Sequence, residues 1–536
     1  MRLRFRNNWK HYKILTIISL CSIQVLSIAG ELKVNASVAA NTYAYETRQA
    51  NSKDISNQAI VVLPSLLTSY SSKRLLTSFK IDHTKVEQRN YIEGADKNYT
   101  DYKYNADLAL ILNTLNLSIR GQQGHRAISQ EQEFITDKIL SAADLTKFNN
   151  NSVVINFAVP NHNYFGLSIQ GVYSEIETGE SIDDSAGLDG DNTAASIQLF
   201  QGKNTRNYTF NFAAQHNNTT RTNLGDFKSS LIQGSVGISI AQNMSFILTA
   251  NNEDYGNNQD AFSRRTSLGS TSYGAGIQWQ PRNGKLLKLT YNQLEEEEGE
   301  NEGNFVGVNL DWAFSNRINL KFNYGKKFYG DAYSLDFSHA LKSVRSTITY
   351  SEQVTSFGRL QTTINPIGLF VCPFGSFALS ECFQADSTTY QLKAGEEFRT
   401  LSEIDSDISE EIIFTKAGSF NLAYQKRRIK VVITASYRKT EYLESDQIQT
   451  NHNIRLNLSY MLSRRTNLSF SNVIGKISNS ENVPSETILN TSVTLERMIS
   501  KKLQINAGIR IIDRDSEVEV RNIKDKRLTV GLNYNF

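Results

Sequence analysis

The residues able to do chemistry are scattered. Past the first thirty positions the histidines are His83, His125, His162, His216, His339 and His452, and no two stand at a metal-ligand spacing. The nearest approach to a catalytic pair is Asp336 with His339, a carboxylate able to orient an imidazole for general-base work. On an extended strand, residues three apart point to opposite faces, which separates them. No phosphate-cradling loop and no dinucleotide fingerprint is present. The expectation is a protein without catalytic residues, metal site or cofactor, and not an enzyme. The net charge of +3 gives no bulk attraction for nucleic acid.

Cysteine is sparse. Cys21 lies in an export leader, and Leu20 before it is too large for a lipoprotein signal. Cys372 and Cys382 remain, and two nearby cysteines in an exported chain are expected to pair. Metal binding is the alternative, though no histidine lies beside them. Closing so short a loop would stabilise it by roughly 2–3 kcal/mol in the chain-entropy account. The bridge would staple the longest connection, 355–410, which is rich in Phe370, Phe374, Phe377 and Phe383. That loop either constricts a barrel mouth or covers its rim.

The elements that must position these residues are strands. Leu528, Val530, Leu532, Tyr534 and Phe536 alternate with Thr529, Gly531, Asn533 and Asn535. The same stripe runs through Ile318–Tyr324, Val306–Phe314, Ile454–Leu462 and Leu503–Ile511. Such strands show one apolar and one polar face, and each has about the ten residues that cross a bilayer at a tilt. A terminal strand ending on an aromatic resembles the assembly signal of bacterial outer-membrane barrels. The leader fits: Arg2, Arg4, Arg6, Lys10 and Lys13 precede an apolar stretch from Ile14 to Ala29, and Ser27-Ile28-Ala29 offers small residues for cleavage. The domain expectation is a signal peptide over 1–29 and a barrel over 30–536.

Connections alternate between tight and long. Tight turns fall near Ser72–Arg74, Asn113–Thr114, Asn161–Asn163, Lys203–Arg206, Gln242–Asn243, Pro281–Asn283, Ser315–Arg317, Lys342–Ser343, Lys426–Arg428, Ser463–Arg465 and Ser500–Lys502. Long connections fall near 90–100, 123–150, 177–192, 218–229, 252–269, 294–303, 326–331, 355–410, 440–448, 475–486 and 512–524. Outer-membrane barrels have short periplasmic turns and long extracellular loops. The tight turns are basic, and the long loops are acidic, as at Glu295–Glu298 and Asp183, Asp184, Asp189 and Asp191. About 23 strands follow residue 59, and parity requires one more upward strand, for which Lys33–Arg48 serves. The fold class expected is all-β: a large antiparallel transmembrane barrel of about 24 strands, in a range of roughly 20–26.

Alternation then assigns lumen charges. Lys288, Lys321, Arg345, Lys430, Arg455 and Arg510 face inward, opposed by Asp311, Asp336 and Glu496. A cationic excess favours anionic solutes or acidic glycan segments; pairing within the wall would cancel it. Trp312 and Tyr324 are expected in the lipid girdles.

The chain resembles the outer-membrane β-barrel family associated with exosortase/PEP-CTERM sorting systems, close to the β-barrel porins of surface-polysaccharide loci. The residues carrying the resemblance are Cys372-Pro373-Phe374-Gly375 with Cys382, Ile408–Ile413, Tyr424-Gln425-Lys426-Arg427, Tyr442-Leu443-Glu444-Ser445 and the terminal strand. The resemblance implies a Gram-negative outer-membrane location. It also implies a link to an exported polysaccharide or sorted surface protein; the other partners expected of such a barrel are outer-membrane lipid and the barrel assembly machinery. It supplies no settled activity and no catalytic residue; the function expected of such a barrel is a porin-like channel or secretion conduit. The alternative is a plugged structural barrel that anchors or receives a surface component through its acidic loops.

Overall fold

In a computed structural model the described residues are 30–49, 55–89, 98–127, 138–139, 145–159, 163–179, 190–202, 204–205, 207–221, 226–258, 267–296, 303–356, 363–373, 396–405, 412–442, 448–479, 485–517 and 522–536; for 363–373 and 396–405 only the backbone is described. The leader 1–29, Cys382 and most of the Ile408–Ile413 stretch lie outside them.

The first strands are β1 (Gly30–Gln49), β2 (Ile55–Ser72), β3 (Leu75–Gln88), β4 (Asn98–Ile111), β5 (Leu115–Ala127), β6 (Leu145–Val159), β7 (Phe165–Thr178), β8 (Gly190–Gln201) and β9 (Tyr208–Arg221). Then come β10 (Asp226–Ala241), β11 (Met244–Asn258), β12 (Ser267–Arg282), β13 (Lys285–Glu296), β14 (Gly303–Ser315), β15 (Ile318–Lys327), β16 (Gly330–Ala340) and β17 (Val344–Ser356). A separate hairpin, β18 (Thr363–Pro373) and β19 (Glu396–Asp405), stands in the long connection after β17. The wall resumes with β20 (Ile412–Lys426), β21 (Ile429–Tyr442), β22 (Ile448–Ser463), β23 (Thr466–Asn479), β24 (Glu486–Met498), β25 (Leu503–Ser516) and β26 (Ile523–Asn535).

Twenty-four strands form one antiparallel sheet, each paired with its sequence neighbour, with β17 joined to β20. The sheet closes on itself through β1 and β26, in a register running from Ser37 opposite Asn535 to Gln49 opposite Ile523. The Phe536 N–H donates to the Ala36 carbonyl at 2.9 Å, extending that seam by one rung. Closure removes both sheet edges, which a spanning β-structure requires. The expected upward strand is β1, and β4 and β5 flank the turn expected at Asn113–Thr114.

The outer face is apolar because the stripe is. Ile454, Ile474 and Leu489 stand side by side across β22, β23 and β24, all exposed. Aromatics gather toward the tight-turn end, among them Phe165, Tyr208, Trp279, Phe314 and Tyr534, with Trp279 and Trp312 ring centroids 5.6 Å apart. A second set, Tyr173, Tyr273, Tyr291 and Tyr333, lies nearer the other end. An apolar band between two aromatic girdles is the exterior of a transmembrane barrel of the outer-membrane type.

The tight turns explain a repeated sequence pattern. Ser72 Oγ accepts from the Leu75 N–H at 3.0 Å, and Ser500 Oγ accepts from the Leu503 N–H at 3.0 Å. Ser315 and Ser463 accept from the Arg317 and Arg465 N–H groups at 3.2 Å. A serine followed by two polar residues, at least one of them basic, is thus a local turn device. Asn113 and Asn243 take positive φ in their turns, a conformation that asparagine tolerates.

Two expectations are corrected. The connection at 326–331 is not long. Lys326 and Lys327 belong to β15, Gly330 and Asp331 to β16, and only Phe328 and Tyr329 turn between them. The connection expected at 355–410 is not free of secondary structure, since it holds the β18–β19 hairpin.

Wall packing is tightest where backbones lack a side chain between them. A Cβ on Gly276 would stand 2.0 Å from the Leu289 carbonyl oxygen and 2.7 Å from the Thr290 Cα. We expect Gly276→Val to cost about 2 kcal/mol or more and to deplete the folded band in a heat-modifiability gel. Gly256→Val, which meets nothing within 4 Å, should migrate as the parent does.

Candidate functional site: the lumen and its long-loop mouth

The exposed apolar parity on each strand assigns the other parity to the lumen. All nine predicted lumen charges fall on that parity. Their heights differ. Lys288, Lys321, Arg345 and Lys430 are among the first four residues of β13, β15, β17 and β21, at the tight-turn end. Lys321 has Asp311 opposite it on β14 and Asp336 opposite it on β16, so one cation stands between two carboxylates. Lys288 and Asp311 line a cavity of about 310 Å³ with Gln278. Arg455 and Arg510 lie near the middle of β22 and β25, where Arg510 donates to Asn490 Oδ1 at 3.2 Å. The charges therefore form no single ring: the cations concentrate on one arc at the tight-turn end.

The register leaves Asp336 on the lumen parity and His339, opposite Ile318, on the lipid parity near a tight turn. The pair stays apart, and His339 is far from the long-loop mouth. Among the described residues no group of three His, Cys, Asp or Glu is placed to hold a metal ion.

Between the ends much of the lumen face is amide and hydroxyl, beside mid-strand charges such as Arg455, Arg510 and the Lys80–Asp82 pair. Gln170 Nε2 donates to Asn156 Oδ1 at 2.8 Å, Thr249 Oγ1 to Asn292 Oδ1 at 3.1 Å, and Asn323 Nδ2 to Ser334 Oγ at 2.9 Å. Asn309 Nδ2 donates to Asn323 Oδ1 in the same row.

The long-loop end holds charges absent from the expected set. Arg514 clamps Glu486 with two hydrogen bonds, Nε to Oε2 at 2.8 Å and Nη2 to Oε1 at 2.6 Å. Ser516 Oγ adds a third to Glu486 at 3.2 Å. Arg527 Nε donates to Asp525 Oδ1 at 2.8 Å, and Thr47 Oγ1 reaches the other oxygen of Asp525 across the seam at 2.8 Å. The Arg527 guanidinium lies 5.8 Å from the Tyr45 ring centroid. Ile488, Ile512 and Ile523 pack beside this row. Charges buried so fully persist because they are paired and hydrogen-bonded.

On the adjoining arc a piece of the loop after β5 folds inward. Ile139 is buried with Tyr45, Ala59, Val61, Val86 and Tyr99, which share the lumen parity of their strands. Gln88 Nε2 donates to the Ile139 carbonyl at 2.7 Å. Lys138 Nζ meets Asp101 Oδ2 at 2.5 Å and Thr84 Oγ1 at 3.2 Å, and His125 Nδ1 meets the other Asp101 oxygen at 2.8 Å. Two residues from the 123–150 connection are thus pinned against the inner wall.

Across the mouth the short Phe328–Tyr329 turn joins strands that are not sheet neighbours. Phe328 packs on Tyr255 of β11 with centroids 5.7 Å apart, and Tyr329 packs on Phe414 of β20 at 4.3 Å. Phe227 of β10, Val354 of β17 and Phe414 form the buried centre of this cluster. Val354 and Phe414 share the parity of the lipid-facing Ile348 and Phe420, yet both are buried. The tops of β17 and β20 therefore lean inward, and their outer stripe meets the lumen face of β10. Lys327 Nζ completes the bridge by pairing with Glu253 Oε2 at 2.7 Å, where Ser270 Oγ also donates to Glu253. Burial, with the Glu253 and Glu352 charges nearby, holds the Tyr329 phenol far above its ordinary range.

These groups were missed because they lie where long connections were expected. The sequence places 475–486 and 512–524 in loops, whereas β24 begins at Glu486, β25 runs to Ser516 and β26 begins at Ile523. The usable signal was present as alternation of charge: Arg514 and Ser516 share one parity, Asp525 and Arg527 another.

No family model matches this chain, and no curated protein matches it. Solved structures similar to it include the siderophore receptor PirA from Pseudomonas aeruginosa, at 9% identity over 94% of this chain and 80% of that one with a TM-score of 0.35. PirA from Acinetobacter baumannii is 8% identical over 94% of this chain and 80% of that one, with a TM-score of 0.42. The FrpB iron transporter from Neisseria meningitidis (F5-1 variant) is 7% identical over 96% of this chain and 84% of that one, also at 0.42.

Proposed function

We propose that the protein sits in a Gram-negative outer membrane as a porin-like channel or secretion conduit, tied to a surface-polysaccharide or exosortase sorting system. The observation that supports the conduit is the 24-strand wall with an apolar outside and a polar lumen of amides, hydroxyls and charges. Barrels of 16 strands and more enclose space beyond what their own side chains fill. The system it serves follows from the family resemblance. Its partners are outer-membrane lipid, the barrel assembly machinery, and the exported polysaccharide or sorted protein. The segment before residue 30 acts as its export signal, and Leu528, Val530, Leu532, Tyr534 and Phe536 act as its assembly signal.

A second reading, a barrel that receives a surface component at a narrowed mouth, is favoured by the inward Lys138–Ile139 segment and the aromatic bridge. Conductance of the signal-free protein refolded into a planar bilayer separates the two. Steady current is expected for the conduit, and its absence from a correctly folded barrel would favour the receiving role.

The Cys372–Cys382 bridge belongs to the same proposal. Cys372 stands opposite Glu397 in the β18–β19 hairpin, and Cys382 lies in the segment between those strands. Intact mass after alkylation should show no labelled thiol until reductant is added. A change of conductance on reduction would put the loop at the constriction; unchanged current would put it on the rim.

A further inference from the structure

The inward lean of β17 creates an alcove. A cavity of about 380 Å³ lies between the lumen face of β7–β11 and the top of β17, with the Phe227–Val354 contact forming part of its lining. Gln170, Ser196, Gln215, Asn217, Ser229 and Gln353 are among its polar lining residues. Among the described lining residues none is Lys, Arg, Asp or Glu, and the one imidazole, His216, is on the lipid parity of β9 with its Nδ1 2.9 Å from Ser230 Oγ. Asn217 Oδ1 is buried there with no hydrogen-bond partner, an acceptor that needs an O–H or N–H donor. Phe227 and Tyr255 add apolar ring surface.

We propose that this alcove binds an uncharged, hydroxyl-rich ligand: a segment of neutral glycan. Carboxamides both donate and accept, so Gln170, Gln215, Asn217 and Gln353 match neighbouring sugar hydroxyls in either sense. Among the described residues on the lumen face of the alcove an ionic ligand would find no carboxylate, ammonium or guanidinium. A peptide would leave most of the side-chain amides competing for few backbone groups. The inference rests on the conduit reading for its biological sense, since it names what the conduit would hold.

The test uses the signal-free, folded barrel in detergent, presented to arrays of neutral oligosaccharides, uronate-bearing oligosaccharides and peptides. Retention is expected on neutral glycans. Asn217→Ala and Gln215→Ala should each weaken it about tenfold, the effect of one lost hydrogen bond. Gln215→Glu, which keeps size and adds charge, should weaken it comparably, while Gln504→Ala on β25 should leave it unchanged. Heat-modifiability confirms that each variant folds. Preference for uronates or peptides, retention on nothing, or indifference to both alcove substitutions would each overturn the proposal. Conductance of the same preparation separates the two claims. A barrel that conducts but retains no glycan defeats the alcove alone, and one that retains glycan but carries no current defeats the conduit alone.

Discussion

Arg514→Ala is expected to destabilise the folded barrel by about 3–5 kcal/mol, the usual cost of removing one partner from a buried ion pair. The reason is the company Glu486 keeps. Its side chain has no solvent exposure, and both of its oxygens face the Arg514 guanidinium. Without that cation the carboxylate must take up a proton or draw water into the wall. The midpoint of the heat-modifiable transition should fall accordingly. Replacing the pair together, Glu486→Gln with Arg514→Met, should recover much of the loss, because no charge is then left alone. Lys33→Ala is the comparison. Lys33 and Glu31 form a pair exposed to solvent, worth at most about 1 kcal/mol. A midpoint for Arg514→Ala equal to that of Lys33→Ala would rule out a structural role for the clamp.

The same residues mark what the sequence could disclose. Where a strand crosses lipid, every second residue must be apolar, so β15, β22 and β25 announce themselves, and the count of wall strands follows from turn parity. Beyond the lipid the outer face no longer meets hydrocarbon. The alternation lapses there while the backbone ladder continues, as from Ile512 to Ser516. Charged strand ends then look like loop, which hid Glu486, Arg514, Asp525 and Arg527. The inward parity of Lys288 or Arg510 was legible from period alone. That Val354 and Phe414 are buried on a lipid-parity stripe was not, because it depends on β17 and β20 leaning against a strand more than a hundred residues away in sequence. Phe328 and Tyr329 fall in a predicted long loop because basic and glycine residues flank them, and a two-residue turn carries no distinguishing composition.

Phe328→Ala with Tyr329→Ala should widen the long-loop mouth. Three ring contacts depend on this pair: Tyr255–Phe328, Phe328–Tyr329 and Tyr329–Phe414. At about 0.5–1.5 kcal/mol each, their loss removes roughly 2–4 kcal/mol from the bridged arrangement. At about 1.4 kcal/mol per factor of ten, any ratio of bridged to unbridged mouths shifts by about 30- to 1000-fold. The expected readout is a higher unitary conductance with fewer excursions to low-current levels. Lys327→Met should act in the same direction, since Glu253, whose side chain has no solvent exposure, then lacks the ammonium that faces it. Unitary currents unchanged in both variants would show that the bridge stands clear of the ion path.

The seam between β1 and β26 also sets the order of events in making the molecule. The residues it joins are separated by nearly the whole chain, as Ser37 is from Asn535. Contacts so distant form late, after the loop entropy of everything between has been met. Until β26 arrives, the growing sheet carries two open edges, each a row of unpaired N–H and C=O groups able to recruit a strand from another molecule. A chain interrupted before Ile523 would keep both edges permanently. The last strand is therefore what separates a finished barrel from a sheet whose edges stay open to other chains.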